Sequence, residues 1–471
     1  MTDIKMEQKN KDDALNNIMI EYLPVVYKIP KDTNKENIFD HSESPEFSID
    51  IDYPKFSLGF QHFIHQSKTK MEITKEFEGK KQIYYIINRF ERYVDDYDSD
   101  INNISKAYFD IEPKPNILSR AFYKLWELFF MFNLIDTENP NFISAHLAEG
   151  PGSFIQATMF YRDKFTKKGL SKNDKFFAVT LHTEDIQKHV PKLEESFINY
   201  YKKENPVRFN MHKTFSKEES RMSKLKDNGD LTNPKTIKLF GGNFTKDKAQ
   251  FITADGGFDW DDENIQEQEA TKLIIAQIIT ALKIQAKGGN FICKIYESFT
   301  NITSKLICAL ASFYKNIYIT KPLMSRSSNS EKYIVCMDFN DHKDKEVNIG
   351  KLEKILVKMN NKNNNLVDIF PKFNISPEMK TTIIKINTEI SNKQFIGIND
   401  MVSFIKKQNY RGDEYINRRQ MQIDASKYWL NQYFPDTKDF SINKEHIEKI
   451  TNDIIEQNIK NVNVLQKKLE F

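Results

Sequence analysis

Cysteine is scarce. The chain of 471 residues has three, Cys293, Cys308 and Cys336, each inside an apolar segment. Thiols so placed make neither a disulfide framework nor a zinc pattern, and they fit a reducing compartment. Long hydrophobic runs are lacking as well. None reaches the roughly 18 residues needed to cross a bilayer, which argues against a transmembrane protein. The opening MTDIKMEQKNKDD has no apolar stretch, so no secretory signal is expected. Nor is there an excess of one charge. Lysine and arginine total 69 against 66 acidic residues, a net charge of +3, so any nucleic-acid site must be a local patch rather than a global field. What is present is 39% apolar and 29% charged residues, enough for a real core under a charged surface, which excludes a wholly disordered chain. The length points to two or three domains.

Three textures follow one another. Residues 1–105 alternate polar stretches with short aromatic strings and read as an N-terminal accessory region, its first dozen residues poorly ordered. From 106 to 340, apolar runs of strand length alternate with helix-period segments, the α/β signature. Residues 341–471 begin with a charged stretch and an Asn-rich patch at 360–365, which reads as a loop insertion. They continue as a mainly helical C-terminal region with a polar helical stretch at 443–469. Within the central part, 117–134 is a helix whose Leu118, Phe122, Leu125, Phe129 and Phe132 form a stripe. Strands are expected at 144–148, 176–181, 251–254, 291–296 and 333–339, with helices from 154, at 267–287 and at 302–314. The helix at 267–287 should stop at Gly288-Gly289. The alternation implies a mostly parallel sheet with helices on both faces, binding ligands at the carboxyl ends of its strands.

Several residues could carry chemistry. Glu149-Gly150-Pro151-Gly152 lies between a strand and a helix, where glycines let backbone approach a ligand and a helix N-terminus offers free N–H groups. The spacing is neither G-x-G-x-x-G nor a Gly-Lys-Ser/Thr loop, which counts against a dinucleotide or a nucleoside triphosphate. An ordinary β-to-α turn is the plain alternative. Lys294 sits within the apolar Phe291-Ile292-Cys293-Lys294-Ile295-Tyr296. A buried ammonium tends to shed its proton, its pKa falling from about 10.4 by up to several units. A neutral lysine is a general base; the alternative is an edge position from which the amine reaches solvent. Asp255 ends a strand ahead of Gly256-Gly257, either holding a ligand or shaping a turn. Lys124 flanks the stripe of its helix, Glu331 precedes the last strand, and Asp230 lies in Asn228-Gly229-Asp230-Leu231-Thr232. Each is weak singly; two lysines and two carboxylates on one sheet are a more specific set. His146, His182, His189 and His212 are scattered without ligand spacing, so no metal is expected. The basic run 212–226 reads as a solvated helix face, whereas Arg326, with Ser328 in the same loop before Glu331, is the better candidate for a phosphate or ribose of RNA.

The ordered segments resemble a known family. They are His146-Leu147-Ala148-Glu149-Gly150-Pro151-Gly152-Ser153-Phe154, 176–181, Gly229-Asp230-Leu231-Thr232, Thr253-Ala254-Asp255-Gly256-Gly257, Gln266-Glu267-Gln268-Glu269, 288–294 and Asn329-Ser330-Glu331-Lys332-Tyr333-Ile334-Val335-Cys336. Together they look like the motifs of the RrmJ/FtsJ-like S-adenosylmethionine-dependent ribose 2′-O-methyltransferases, above all the Adrift-type cap methyltransferases and their counterparts in large cytoplasmic DNA viruses. The resemblance implies an α/β fold with a seven-stranded Rossmann-like sheet and a catalytic Lys-Asp-Lys-Glu set falling on Lys124, Asp255, Lys294 and Glu331. It implies S-adenosyl-L-methionine as cofactor, contacted by Glu149, Gly150, Pro151, Gly152, Ser153 and Phe154, by Leu181, by Asp230 on the adenine side with Leu231, and by Asp255. Bacterial members carry an acid after the second strand, where this chain has Thr180-Leu181-His182 and, further on, Glu184. The cap-type members share that departure. The partners implied are a capped mRNA 5′ end and capping or transcription machinery, with no membrane. The location implied is cytoplasmic, in a viral factory or virion for a viral protein, or nuclear for a cellular one. The expected reaction is transfer of a methyl group to a cap-proximal ribose 2′-hydroxyl, Lys294 accepting the proton; rRNA or tRNA ribose methylation and a non-catalytic RNA-binding scaffold are the alternatives.

Overall fold

The structure, a computed structural model, describes residues 24–31, 37–50, 55–91, 101–111, 116–183, 190–212, 227–257, 262–362 and 364–435. The first dozen residues, Glu184, His189, the run 213–226 and the stretch 443–469 lie outside the described residues.

The strands are β1 (Val25–Lys28), β2 (Glu46–Ser48), β3 (Ile143–Leu147), β4 (Lys175–Val179), β5 (Phe209–Met211), β6 (Ala249–Ala254), β7 (Gln285–Ile295), β8 (Tyr314–Lys321), β9 (Lys332–Phe339) and β10 (Asn365–Asp368). Eight form one sheet in the order β1-β8-β9-β7-β6-β3-β4-β5. From β5 to β7 the pairings are parallel; β9 is antiparallel to both β7 and β8, and β1 is antiparallel to β8. The helices are α1 (Leu58–Lys70), α2 (Ile101–Tyr108), α3 (Ala121–Phe132), α4 (Ser153–Phe165), α5 (Glu195–Glu204), α6 (Pro234–Gly241), α7 (Gln266–Ile284), α8 (Asn301–Ala311), α9 (Lys345–Asn361), α10 (Pro377–Lys407) and α11 (Asp413–Tyr433).

Strand periodicity sorts the central residues into two cores. Cys293, Ile295, Ile334 and Cys336 face one side with α7, α8 and α9. Ile292, Tyr333 and Val335 face the other with Phe122, Trp126 and Phe129 of α3 and Trp429 of α11. Successive residues of a strand point to opposite faces, so Lys294 shares the face of Ile292, the one that α3 covers. Both faces being covered, β3, β6 and the end of β7 read as nearly continuous apolar runs.

Two expectations change. The helix of 267–287 ends at Ile284, and Gly288-Gly289 lie inside β7 rather than closing the helix. Between β6 and β7 the register slips, Ala249 facing Gln285 and Phe251 facing Asn290. The glycines absorb that slip: Gly288 has φ +74°, and a Cβ on Gly289 would stand 2.4 Å from Gln285 Nε2 and 2.7 Å from the Gln250 carbonyl. The second change is β8, whose Tyr314, Ile317 and Ile319 are buried among charged neighbours; it supplies the antiparallel half of the sheet.

The flanking segments join the same body. β1 adds the outer strand beside β8, and β2 pairs with β10 in a separate two-stranded ladder. Tyr84 and Ile86 bury against Met401, Phe404 and Ile405 of α10. Lys68 of α1 reaches the buried Glu297 just past β7. Among the described residues no helix is long and apolar enough to cross a membrane.

Candidate active site

The carboxyl ends of β6 and β7, the start of β9 and the first turn of α3 meet at one point. Lys294, next to last in β7, places its Nζ 3.2 Å from Asp255 Oδ1 and donates to the Asp255 carbonyl at 2.8 Å. Lys124 of α3 binds both oxygens of Glu331, at 2.7 and 2.9 Å. The Tyr333 hydroxyl, 3.1 Å from Asp255 Oδ1 and 3.4 Å from Glu331 Oε1, joins the two pairs. The structure therefore brings Lys124, Asp255, Lys294 and Glu331 together in one hydrogen-bonded chain. Their side chains are 11–18% exposed, enough to leave an opening to solvent. Gly257 keeps that opening clear: a Cβ there would lie 2.7 Å from the Tyr296 hydroxyl and 3.4 Å from Lys294 Nζ. Gly256 packs against Leu273, where a Cβ would stand at 2.8 Å.

The charge state of Lys294 corrects the sequence expectation. Burial does lower its pKa, but Asp255, Tyr296 and Glu331 raise it by more, so the amine titrates above the ordinary lysine range. In this state it is an ammonium, not a neutral base, because a carboxylate partner offsets desolvation. Glu331 moves the opposite way: burial would raise its pKa, and Lys124, Lys294 and Lys321 hold it well below the usual carboxylate range. Tyr333 stays protonated, its pKa pushed up by burial and by the two carboxylates, so it remains a donor.

The loop carrying Glu331 is held by residues that the sequence did not single out. Lys321, buried at the end of β8, has Nζ within 2.7–3.1 Å of Ser325 Oγ, the Asn329 carbonyl, Asn329 Oδ1 and the Glu331 carbonyl. Ser325 Oγ donates to Glu331 Oε1 at 3.0 Å. Glu127, one turn beyond Lys124, accepts from the Leu323 and Met324 amides and from Trp429 Nε1. Burial pushes the Glu127 carboxyl up to about 7. Tyr333 had a readable signal: two residues after Glu331 in a strand, it shares that residue's side of the sheet.

The glycine loop lies at the end of β3. Glu149 is buried; its Oε1 accepts from the Phe154 and Ile155 amides at 2.8 and 2.9 Å, capping α4. Its Oε2 is buried with no hydrogen-bond partner. Burial, with Asp255 adding to it, raises the Glu149 pKa despite the two amides. Gly150 is required by the chain itself: a Cβ there would overlap the Pro191 carbonyl at 1.7 Å. Ser153 Oγ pairs with Ser119 Oγ at 2.7 Å, and Phe154 is buried. Two carboxyl groups, Glu149 and Asp255, thus end the adjacent strands β3 and β6, and a ligand bearing an ammonium or sulfonium charge over those strand ends would lie in their field.

Asp230 shapes its own turn, accepting from Thr232 N and Oγ1 at 2.9 and 2.7 Å, with Leu231 buried behind it. The turn is anchored by the buried Asp227, which accepts from His212 Nε2, Thr236 Oγ1 and the Gly229 amide. The half-buried Leu181 precedes His182, whose amide donates to the Asn228 carbonyl at 2.7 Å, so both loops border the same strand ends. His146 is an interior imidazole between Ser144 and Thr253, its pKa lowered by burial to about 3. Arg326 pairs with Glu91 at 3.1 Å, and Ser328 sits against α10, its carbonyl 3.4 Å from Gln394 Nε2.

Residues 117–339 match the family model for FtsJ-like methyltransferase. Over 309 residues the chain is 26% identical to the cap-specific mRNA (nucleoside-2'-O-)-methyltransferase 1 of Caenorhabditis elegans, covering 63% of this chain and 30% of that protein. Over 114 residues it is 39% identical to the Homo sapiens protein of the same name, covering 23% of this chain and 14% of that one. The chain therefore spans 30% or less of the length of these relatives. Among solved structures, a ribosomal RNA methyltransferase from Plasmodium falciparum aligns over 47% of this chain and 97% of that chain, with 21% identity and a TM-score of 0.30.

Proposed function

We propose, starting from the FtsJ-like methyltransferase segment at residues 117–339, that this chain methylates the ribose 2′-hydroxyl of a cap-proximal nucleotide of mRNA, using S-adenosylmethionine. The observation that carries the proposal is the closed set Lys124–Glu331–Tyr333–Asp255–Lys294 at the strand ends, open to solvent beside Gly257. The cap-specific names of the relatives support the choice of substrate.

The cofactor, when bound, supplies an electrophilic methyl group on a positively charged sulfur. Glu149, the Gly150–Gly152 turn, Ser153 and Phe154, with Leu181, Asp230 and Leu231 across the strand ends, would hold it. Asp255 and Glu331 fix the two amines, so that the hydroxyl meets Lys294 Nζ in a defined place. Lys294 takes the hydroxyl proton once it has lost its own. A positive charge arriving nearby, together with Lys124, favours that loss by like-charge repulsion. Holding hydroxyl and methyl in line supplies much of the rate. The location proposed is a reducing compartment, which three buried cysteines fit: the cytoplasm, in a factory or virion if the chain is viral, or the nucleus if it is cellular.

The test is incubation with labelled S-adenosylmethionine and two transcripts of one sequence, capped and uncapped, followed by mass mapping of the methylated nucleotide. The capped transcript alone should gain a methyl group on a cap-proximal ribose. Lys294→Ala should abolish transfer while S-adenosylmethionine binding, read by calorimetry, persists. Equal methylation of both transcripts, or full activity in Lys294→Ala, would end the assignment.

A further inference from the structure

At the rim of the site, Arg326 is one residue from Ser325, which donates to Glu331. Its guanidinium carbon lies 3.6 Å from the centroid of the Tyr85 ring. Its Nε is 3.1 Å from Glu91 Oε2 and one terminal nitrogen is 3.5 Å from Glu91 Oε1. Glu91 is fixed in turn by Arg120, the residue that precedes α3, which also donates to the Met324 and Phe90 carbonyls at 2.7 and 2.6 Å. Tyr85 is braced by Tyr84 edge-on at 4.8 Å, and its carbonyl accepts from Gln422 of α11. The Arg326 side chain nevertheless remains 27% exposed.

This geometry does not suit a phosphate contact, the role its sequence position first suggests. A carboxylate, itself shared with Arg120, already takes two of the three guanidinium nitrogens, which leaves the pair of arginines with one net positive charge but turns the hydrogen-bonding edge of Arg326 away from a phosphate. One flat face is covered by Tyr85. The exposed part of the side chain belongs to a planar group held rigid in a loop whose preceding residue, Ser325, bonds Glu331. Such planes stack unstacked bases of single-stranded RNA. A guanidinium that is stacked and hydrogen-bonded in its plane is already ordered, so little further entropy is lost when a base lands on it. A cationic N7-methylguanine would meet a cation there, whereas an ordinary base would not.

We infer that Arg326, backed by Tyr85 and held flat by Glu91, is a stacking platform for an uncharged base of the transcript next to the reacting ribose. The inference rests on the ribose-methylation proposal for its ligand. Tyr85 and Glu91 lie outside the 117–339 match, so this chain's own accessory segment would build part of the substrate surface.

Equilibrium binding of a fluorescent capped decamer tests it without turnover. Absent methyl transfer would then count against the reaction and not against the platform. Arg326→Lys keeps the charge and loses the plane; it should weaken binding by about tenfold. The dependence of log Kd on log salt should keep its wild-type slope, because no phosphate contact is removed. An abasic site at one of the first transcribed positions should weaken the wild type by a similar factor and Arg326→Lys little further. Tyr85→Leu should act in the same direction, with S-adenosylmethionine affinity in each variant as the check on folding. The inference is overturned if Arg326→Lys binds like the wild type while Arg326→Ala is weak with a salt slope lower by about 0.7, which would make Arg326 a phosphate ligand. It is equally overturned if the losses appear in full with cap analogue alone.

Discussion

Lys294 makes the sharpest prediction, because its charge state and its proposed role pull against each other. Deprotonating an ordinary lysine at pH 7 costs about 4.6 kcal/mol, which leaves about one molecule in 2,500 neutral. Here the requirement is steeper. Asp255 Oδ1 is 3.2 Å away with both side chains mostly buried. At an effective dielectric of about 20 that pair attracts by about 5 kcal/mol before desolvation is subtracted. The net direction is a raised pKa. If neutral Lys294 accepts the hydroxyl proton, kcat/KM with both substrates subsaturating, which reports the free enzyme, should climb about tenfold per unit from about pH 7 to about pH 9 without a plateau. The kcat profile, which reports the complex, should level off at lower pH, since a second positive charge then stands near the amine. Asp255→Asn removes the charge that holds the proton; its kcat/KM should be lower at its maximum and should level off at lower pH than the wild type. Initial rates of methyl transfer to a capped oligonucleotide, in buffers of constant ionic strength, are the assay. A kcat/KM flat from about pH 7 to about pH 9 would refute the base role and leave Lys294 as a fixed cation beside the reacting oxygen.

Two further perturbations read the surroundings of the set. Tyr333→Phe removes the one hydroxyl that joins Asp255 to Glu331 while leaving both ion pairs in place; a net hydrogen bond is worth about 0.5–1.5 kcal/mol, so kcat should fall about 2- to 10-fold with S-adenosylmethionine affinity unchanged, and an unchanged kcat would show the bridge to be idle. Glu127 has a folded-state pKa of about 7, raised by burial. The folded protein therefore holds more protons than the unfolded one between about pH 4.5 and about pH 7, and stability falls as pH rises through that window, by at most about 1.4 kcal/mol per unit. Glu127→Gln should remove that decline, seen as wild-type and variant urea midpoints that differ more at pH 5 than at pH 8 or change order between them; a constant gap at both would refute the assignment of the titration to Glu127.

The proposed catalytic set was legible because its members break local rules. A lysine inside an apolar strand, an acid before two glycines and an acid entering a buried strand each stand out against their neighbours, and the strand period places Tyr333 beside Glu331. The charge of Lys294 was not legible. It depends on a through-space distance to Asp255, 39 residues away in sequence, and burial alone predicts the wrong sign. β8 was hidden because its apolar residues alternate with Lys315, Asn316 and Tyr318, so no continuous run announces it. Gly288-Gly289 misled because a glycine pair punctuates helices and strand bulges alike; only the slip between β6 and β7 distinguishes the two. Gly150 was assigned a glycine for the sake of a ligand, whereas the neighbour that forbids a side chain there is the Pro191 carbonyl.

The segments outside residues 117–339 bear directly on where Glu331 stands. Its loop is tied from within by Lys321 and from α3 and its N-cap by Glu127 and Arg120. The third tie is α10, which packs so closely that a Cβ on Gly397 would lie 2.7 Å from Ser327 Oγ. Gln394 of the same helix reaches the Ser328 carbonyl. Trp429 of α11 donates to the very carboxylate that holds Leu323 and Met324. From the N-terminal side, Lys68 reaches Glu297 at the end of the strand that carries Lys294, and Glu91 anchors Arg120 and Arg326. A catalytic acid must be fixed to a fraction of an ångström by neighbours whose own conformations are locked. In this chain many of those neighbours come from the accessory and C-terminal segments, so on the proposed reading the flanking regions are part of the active-site wall and not appendages to it.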